Sequence, residues 1–155
     1  MNIISLSQSQ WEKYRRPLLR FIKRFDKSAN TTTYNWLFQL KGHHLNQPGT
    51  SIQLVIWNGK IIAVAAVCDF GTTHSLILLE PKYQKTHIKV TLLTLLIQEL
   101  GVCYTKIRYD NEDDIKSSLQ AGLVCFAYIK GIDDLMYLWF GGGHWHANDV
   151  IEHEA

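Results

Sequence analysis

Trp11, Tyr14, Leu18, Ile22 and Phe25 recur three and four residues apart, the stripe of an amphipathic helix. Ser7, with Gln10 three positions on, forms a capping box before it. Pro17 lies inside the stripe and predicts a kink, or a split in two near Arg16. Thr31 to Asn46 reads as a second short helix, with Tyr34, Leu37, Phe38 and Leu45 inward and Asn30 or Thr31 as its cap. The period then changes. Ile52 to Trp57 and Lys60 to Asp69 are β-rich runs around Asn58-Gly59, the favoured two-residue hairpin turn. Phe70-Gly71-Thr72 turns the chain into the apolar run Leu76 to Leu79, closed by Glu80 and Pro81. Without polar alternation, that run predicts a central strand covered on both faces, the third of an antiparallel meander.

A helix follows, with Ile88, Leu92, Leu95, Leu96 and Leu100 inward, Thr86 as N-cap and Gly101 at its end. Tyr104 to Asp110 alternates as a strand. Strand, helix, strand predicts a right-handed crossover, with residues 75–80 and 104–110 as parallel neighbours. Asn111 to Ala121 is a fourth helix, acidic in its first turn and ended by Gly122. Leu123 to Lys130 and Leu135 to Phe140 form a last hairpin. The expected fold is α/β (α+β): a mixed, mostly antiparallel twisted sheet flanked by helices, with one parallel βαβ unit. Residues 1–141 read as one domain and 142–155 as a polar, flexible tail.

Composition narrows the class. At 46% hydrophobic and 19% charged, the chain is globular rather than disordered. The net charge of +2 gives no whole-molecule attraction to nucleic acid. Cys68, Cys103 and Cys125 sit in or beside apolar runs and read as reduced, buried thiols of a cytoplasmic protein. Residues 1–16 carry no secretory apolar region, and the longest apolar run, Ile61 to Cys68, is too short to span a membrane.

Two charge patterns carry candidate chemistry. Lys82, Lys85, His87 and Lys89 surround a helix start, where the dipole favours acids; a bound anion held by free amides would compensate, and a solvated turn is the alternative. The first helix is basic, with Lys13, Arg15, Arg16, Arg20, Lys23, Arg24 and Lys27 against Glu12 and Asp26. Such a face binds nucleic acid, acidic lipid or an acidic partner, or is simply solvated above a buried stripe. His43-His44 and His144/His146 are not read as metal ligands, and no metal is expected.

This order of elements, with two motifs, resembles the GNAT superfamily of acyl-CoA-dependent N-acyltransferases over roughly residues 3–141. Glu80-Pro81-Lys82-Tyr83-Gln84-Lys85-Thr86-His87-Ile88-Lys89 is similar to the family's strand end, proline and Q/R-x-x-G-x-G/A pyrophosphate loop. Asn111, Ile115 and Gly122-Leu123 are similar to its N-x-x-A-I-x-x-Y-x-x-x-G-F helix. His87 and Lys89 replace the two small residues, and Ser118 stands where the family has a tyrosine that protonates the leaving thiolate. The resemblance implies acetyl-CoA or another acyl-CoA as co-substrate and an amine acceptor, with no membrane partner. Backbone at Leu78 and Leu79 would meet the pantetheine arm. Gln84, Lys85, Thr86, His87, Ile88 and Lys89 would meet the pyrophosphate, with Asn111 nearby. Glu80 is the candidate base and Ser118 the candidate acid; Cys125 reads as core, not nucleophile. The alternative is a catalytically degenerate GNAT-fold protein that senses acyl-CoA or binds nucleic acid or protein through the basic first helix. An oligomer is compatible with either.

Overall fold

Two antiparallel sheets meet under one shared helix. The computed structural model describes residues 1–28 and 31–150. The first sheet has the order β1 (Asn2–Ser5), β2 (Ser51–Trp57), β3 (Lys60–Cys68), β4 (His74–Leu79). Asn58 and Gly59 take positive φ, as the β2–β3 turn requires. The meander is as expected, and β1 is an addition. Four residues with two isoleucines carry too little pattern to read alone; β1 exists because β2 offers it an edge, Ile4 opposite Leu54.

Both faces of this sheet are covered, so β2 and β3 are buried almost throughout. On one face lie α1 (Trp11–Phe25) and α2 (Thr32–Gln39), with Trp11, Leu18, Ile22 and Leu37 against Ile52, Leu54, Val64 and Ala66. α1 runs through Pro17 as one helix rather than two. The acceptor left bare by the missing N–H is the carbonyl of Lys13, an exposed residue, where water can satisfy it. The second predicted helix is shorter than expected: it stops at Gln39, a 3-10 turn (Gly42–Asn46) follows, and Phe38 faces solvent. Thr31 stands at its N-cap without a side-chain bond; Asn30 lies outside the described residues.

On the other face lies α3 (Ile88–Leu100), ended by Gly101 at φ +81°. Ile88, Leu92 and Leu96 pack on the first sheet; Leu93 and Ile97 pack with Ile107, Leu123 and Phe140 of the second. The second sheet has the order β5 (Val102–Arg108), β7 (Met136–Gly143), β6 (Val124–Lys130), and α4 (Glu112–Gln120) links β5 to β6. The glycines expected to open a tail instead finish β7. Gly141 to Gly143 pair with Tyr104 to Val102, and a Cβ on Gly142 would stand 2.6 Å from Ile97 Cδ1. Beyond them Val150 is buried with Tyr104 and Trp139. Among the described residues no helix is long and apolar enough to cross a membrane.

Candidate functional site

β4 and β5 run side by side in one sense, yet no ladder joins them. Ser75 Oγ donates to Thr105 Oγ1 at 3.3 Å, and two residues on Ile77 and Ile107 share a core cluster. The expected parallel neighbours are therefore neighbours across a seam. This also corrects the expectation for β4: both its faces are covered, Leu76 and Leu78 by the α1 side and Ile77 and Leu79 by α3, but it is an edge strand rather than a central one and is half-buried from His74 to Leu78.

The seam is pinned at one end. Gly71, at φ +94°, lies so close to β5 that a Cβ there would come within 1.9 Å of the Tyr104 carbonyl oxygen. Beyond the pin, a cavity of about 130 Å³ lies between Ser75–Ile77 and Thr105–Ile107, roofed by Lys89 and Leu93 of α3 and by Asp114 and Ser118 of α4.

Register decides which backbone groups face this gap. Glu80 N–H donates to Ile62 O at 2.9 Å, so residues 80, 78 and 76 bond to β3 and residues 79, 77 and 75 point away from it. Leu79 thus turns its backbone away from β3 toward the gap. Leu78 does not; its backbone is committed to β3 and its side chain to the α1 face. Ile77, which the sequence did not single out, takes its place.

The chain then makes a 3-10 turn (Pro81–Tyr83) into α3. His87, not Thr86, is the N-cap; Thr86 Oγ1 donates to Tyr83 O at 2.6 Å and accepts from Ile88 N–H at 3.4 Å. Among the described residues the amides of Lys85, His87, Lys89 and Val90 have no backbone acceptor, as the first turn of a helix leaves them. Lys85, His87 and Gln84 are exposed around these donors.

Lys89 turns inward. Its side chain is 9% exposed, its Nζ forms an ion pair with Asp114, and it also donates to Gln84 Oε1 at 3.4 Å. Asp114 is held in turn. Its N–H donates to Asn111 Oδ1 at 3.2 Å, and Asn111 Nδ2 donates to its Oδ2 at 2.9 Å. Asn111 is therefore the cap of α4 and the holder of Asp114. The sequence offered a signal for this pair: Lys89 sits three and four residues before Leu92 and Leu93 on the apolar side of α3, and a buried cation needs an acid.

The two candidate acid–base residues do not share a cavity. Ser118 is 2% exposed and lines the gap. Glu80 stands on the opposite side of β4, pairs with Lys82 at 3.5 Å, and lines a groove of about 1000 Å³ between α1, the β2–β3 turn and Tyr83. The cysteines are all free. Burial pushes the Cys103 thiol up to about 12 and, with Asp69 adding to it, the Cys68 thiol up to about 11. Cys125 is exposed on β6, the outer strand of the second sheet, rather than buried. Among the described residues no three His, Cys, Asp or Glu side chains group as metal ligands.

No protein-family model and no curated protein matches the sequence. Solved structures do match. An acetyltransferase of the GNAT family from Streptococcus pneumoniae superposes with a TM-score of 0.66 at 16% identity, covering 92% of this chain and 98% of that one. Ribosomal-protein-alanine N-acetyltransferase from Brucella melitensis gives 0.64 at 15%, covering 92% and 99%. A putative acetyltransferase from Salmonella typhimurium, solved with its cofactor acetyl-CoA, gives 0.63 at 17%, covering 94% and 95%. The chain has the fold of these acetyltransferases.

Proposed function

We propose that this protein is an N-acyltransferase that uses an acyl-CoA as co-substrate and an amine as acceptor. The observation that carries the reading is the unladdered seam between β4 and β5, leading to free amides at the start of α3. An edge strand with open donors and acceptors suits an extended amide-bearing arm, and the first turn of a helix suits a diphosphate. The residues fit these two parts. Backbone at Ile77 and Leu79 would hold the arm. The amides of Lys85, His87 and Lys89, with the Lys85, His87 and Gln84 side chains, would hold the phosphates. Once bound, the co-substrate supplies an acyl group activated as a thioester. Ser118, buried on the gap, is the proposed proton donor to the departing sulfur. Glu80 would take the proton of an amine arriving from the α1 side, through water.

One observation favours a second reading. Lys89 and Asp114 meet where the gap would have to admit the arm, and about 130 Å³ is below the usual size of a small-molecule site. A protein that keeps the fold without turnover would retain such a pair. Calorimetric titration with CoA and acetyl-CoA, beside free-thiol release across a panel of amines, separates the two. The acyltransferase reading expects binding that falls about tenfold with Lys85→Ala plus His87→Ala, and turnover slowed by Ser118→Ala. If acetyl-CoA does not bind at roughly millimolar concentration (a binding free energy near −4 kcal/mol) even in Lys89→Ala, the reading fails.

A further inference from the structure

We infer that the groove beside α1 is a binding site for single-stranded nucleic acid. The net charge of +2 conceals a division. Residues 1–89 hold twelve Lys/Arg against four Asp/Glu, for +8; residues 90–155 hold four against ten, for −6. Charge asymmetry of this kind points to a polyanionic partner for the basic part.

The structure concentrates that charge along one groove. Lys13, Arg20 and Arg24 line its α1 wall. They are seven and four residues apart, so they form one row along the helix, spaced about 10 Å and 6 Å. Lys60, the first residue of β3, and Lys82 complete the rim. Among the described residues Lys13, Arg20, Arg24 and Lys60 have no carboxylate partner; the one acid in the groove, Glu80, pairs with Lys82.

Rings alternate with these cations. Trp57 is 44% exposed at the mouth, and Tyr14, Phe25 and Tyr83 are half-buried in the walls. Lys13 lies over Tyr14 at 5.2 Å, Arg24 over Phe25 at 5.1 Å and Lys82 over Tyr83 at 5.4 Å, so Trp57 is the ring left open to a base. Cations that track a backbone beside an open ring that stacks a base are features that single strands use. The groove is a concavity of about 1000 Å³, which admits a strand of unpaired nucleotides and not the body of a duplex. An acidic peptide would match the charge but give the open Trp57 ring no base to stack.

The groove is also the side from which the proposed amine would reach Glu80, but the inference does not rest on acyl transfer, and its readout is separate from thiol release. The test is fluorescence anisotropy of a labelled oligothymidylate of about twelve nucleotides, in a salt series, with the same sequence in a duplex and with polyglutamate as competitors. Four phosphates neutralised give a slope of log affinity against log salt of roughly −3. Arg20→Ala with Arg24→Ala reduces that slope by about 1.4 and weakens binding at least tenfold. Trp57→Ala weakens binding about tenfold with the slope unchanged, because stacking carries no counterion term. Lys130→Ala, on the far sheet, changes nothing. All four side chains are exposed or on the rim, and circular dichroism shows whether each variant is folded. Duplex or polyglutamate competing as well as the single strand overturns the inference. So does a folded Trp57→Ala that binds like the parent, or no binding at low salt.

Discussion

Lys89 shows how one side chain sets the state of a site. A lysine at the start of α3 would serve an anion if it faced outward; at 7% exposure it faces Asp114 instead. Removing one partner of a buried pair costs more than the pair is worth, because the survivor keeps its desolvation. The two partners are unequal: Asp114 is 30% exposed and sits in the first turn of α4, where the helix dipole favours it, whereas Lys89 has neither advantage. Asp114→Ala is therefore expected to lower stability by about 2 kcal/mol and Lys89→Met by less than about 1 kcal/mol, as read from urea unfolding. Equal losses would mean that the pair is no more than a surface contact.

At the level of elements, the seam depends on α3 and on one glycine. α3 covers both sheets, so it can hold β4 and β5 beside each other without a ladder. Gly71 sets their closest approach. Alanine there meets backbone at 1.9 Å and takes a φ of +94° that costs a non-glycine residue energy in itself. Gly71→Ala is expected to cost about 3 kcal/mol or more in urea unfolding and, on the acyltransferase reading, to lower acetyl-CoA affinity as the seam shifts. A variant with parental stability would show that β5 is held elsewhere. The positions of these elements were largely legible: the Asn58-Gly59 hairpin, α3 ending at Gly101 and α4 starting at Asn111 all follow local chemistry. The strand order β5-β7-β6 was not, because a hairpin pattern does not say which of its strands meets an earlier one.

Across the whole molecule, buried acids of weak character govern the alkaline limit. Burial, with the Asp149 carboxylate that accepts the Tyr104 hydroxyl at 2.5 Å, pushes the Tyr104 phenol from 10.0 up to about 12. The Cys103 and Cys68 thiols rise from 9.0 to about 12 and about 11. A raised folded value means that the native state holds the proton more tightly. The stability linked to it is complete below about pH 9 and is lost as pH climbs through 11 to 12. Urea midpoints are expected to be flat up to about pH 9 and to fall steeply above it, with a shallower fall in Tyr104→Phe. His74 works at the other end. Burial, beside the stacked Trp36 ring at 4.9 Å, lowers its value below 6.5, so its contribution is present above that pH and shrinks as pH falls.

What the sequence determined by itself was whatever depends on neighbours along the chain: the helix stripes, the hairpin turn, the Asn111 cap and the Gly101 stop, the cations around His87 and the basic face of α1. It also carries enough of the order of elements for the acetyltransferase fold to be expected from it. Only the tertiary structure decided which groups face the gap. The register against β3 turns Leu78 away and Ile77 toward it, and strand pairing is a long-range choice invisible to alternation. Contact with Asp114, twenty-five residues on, converts Lys89 from a free cation into half of a buried pair. Pairing with Val102 to Tyr104 makes strand of glycines that composition reads as loop, and Ile97 leaves Gly142 no room for a side chain. The division of charge was written in the sequence, but only folding set Lys13, Arg20, Arg24 and Lys60 around one groove, because distance in space, not along the chain, sets a field.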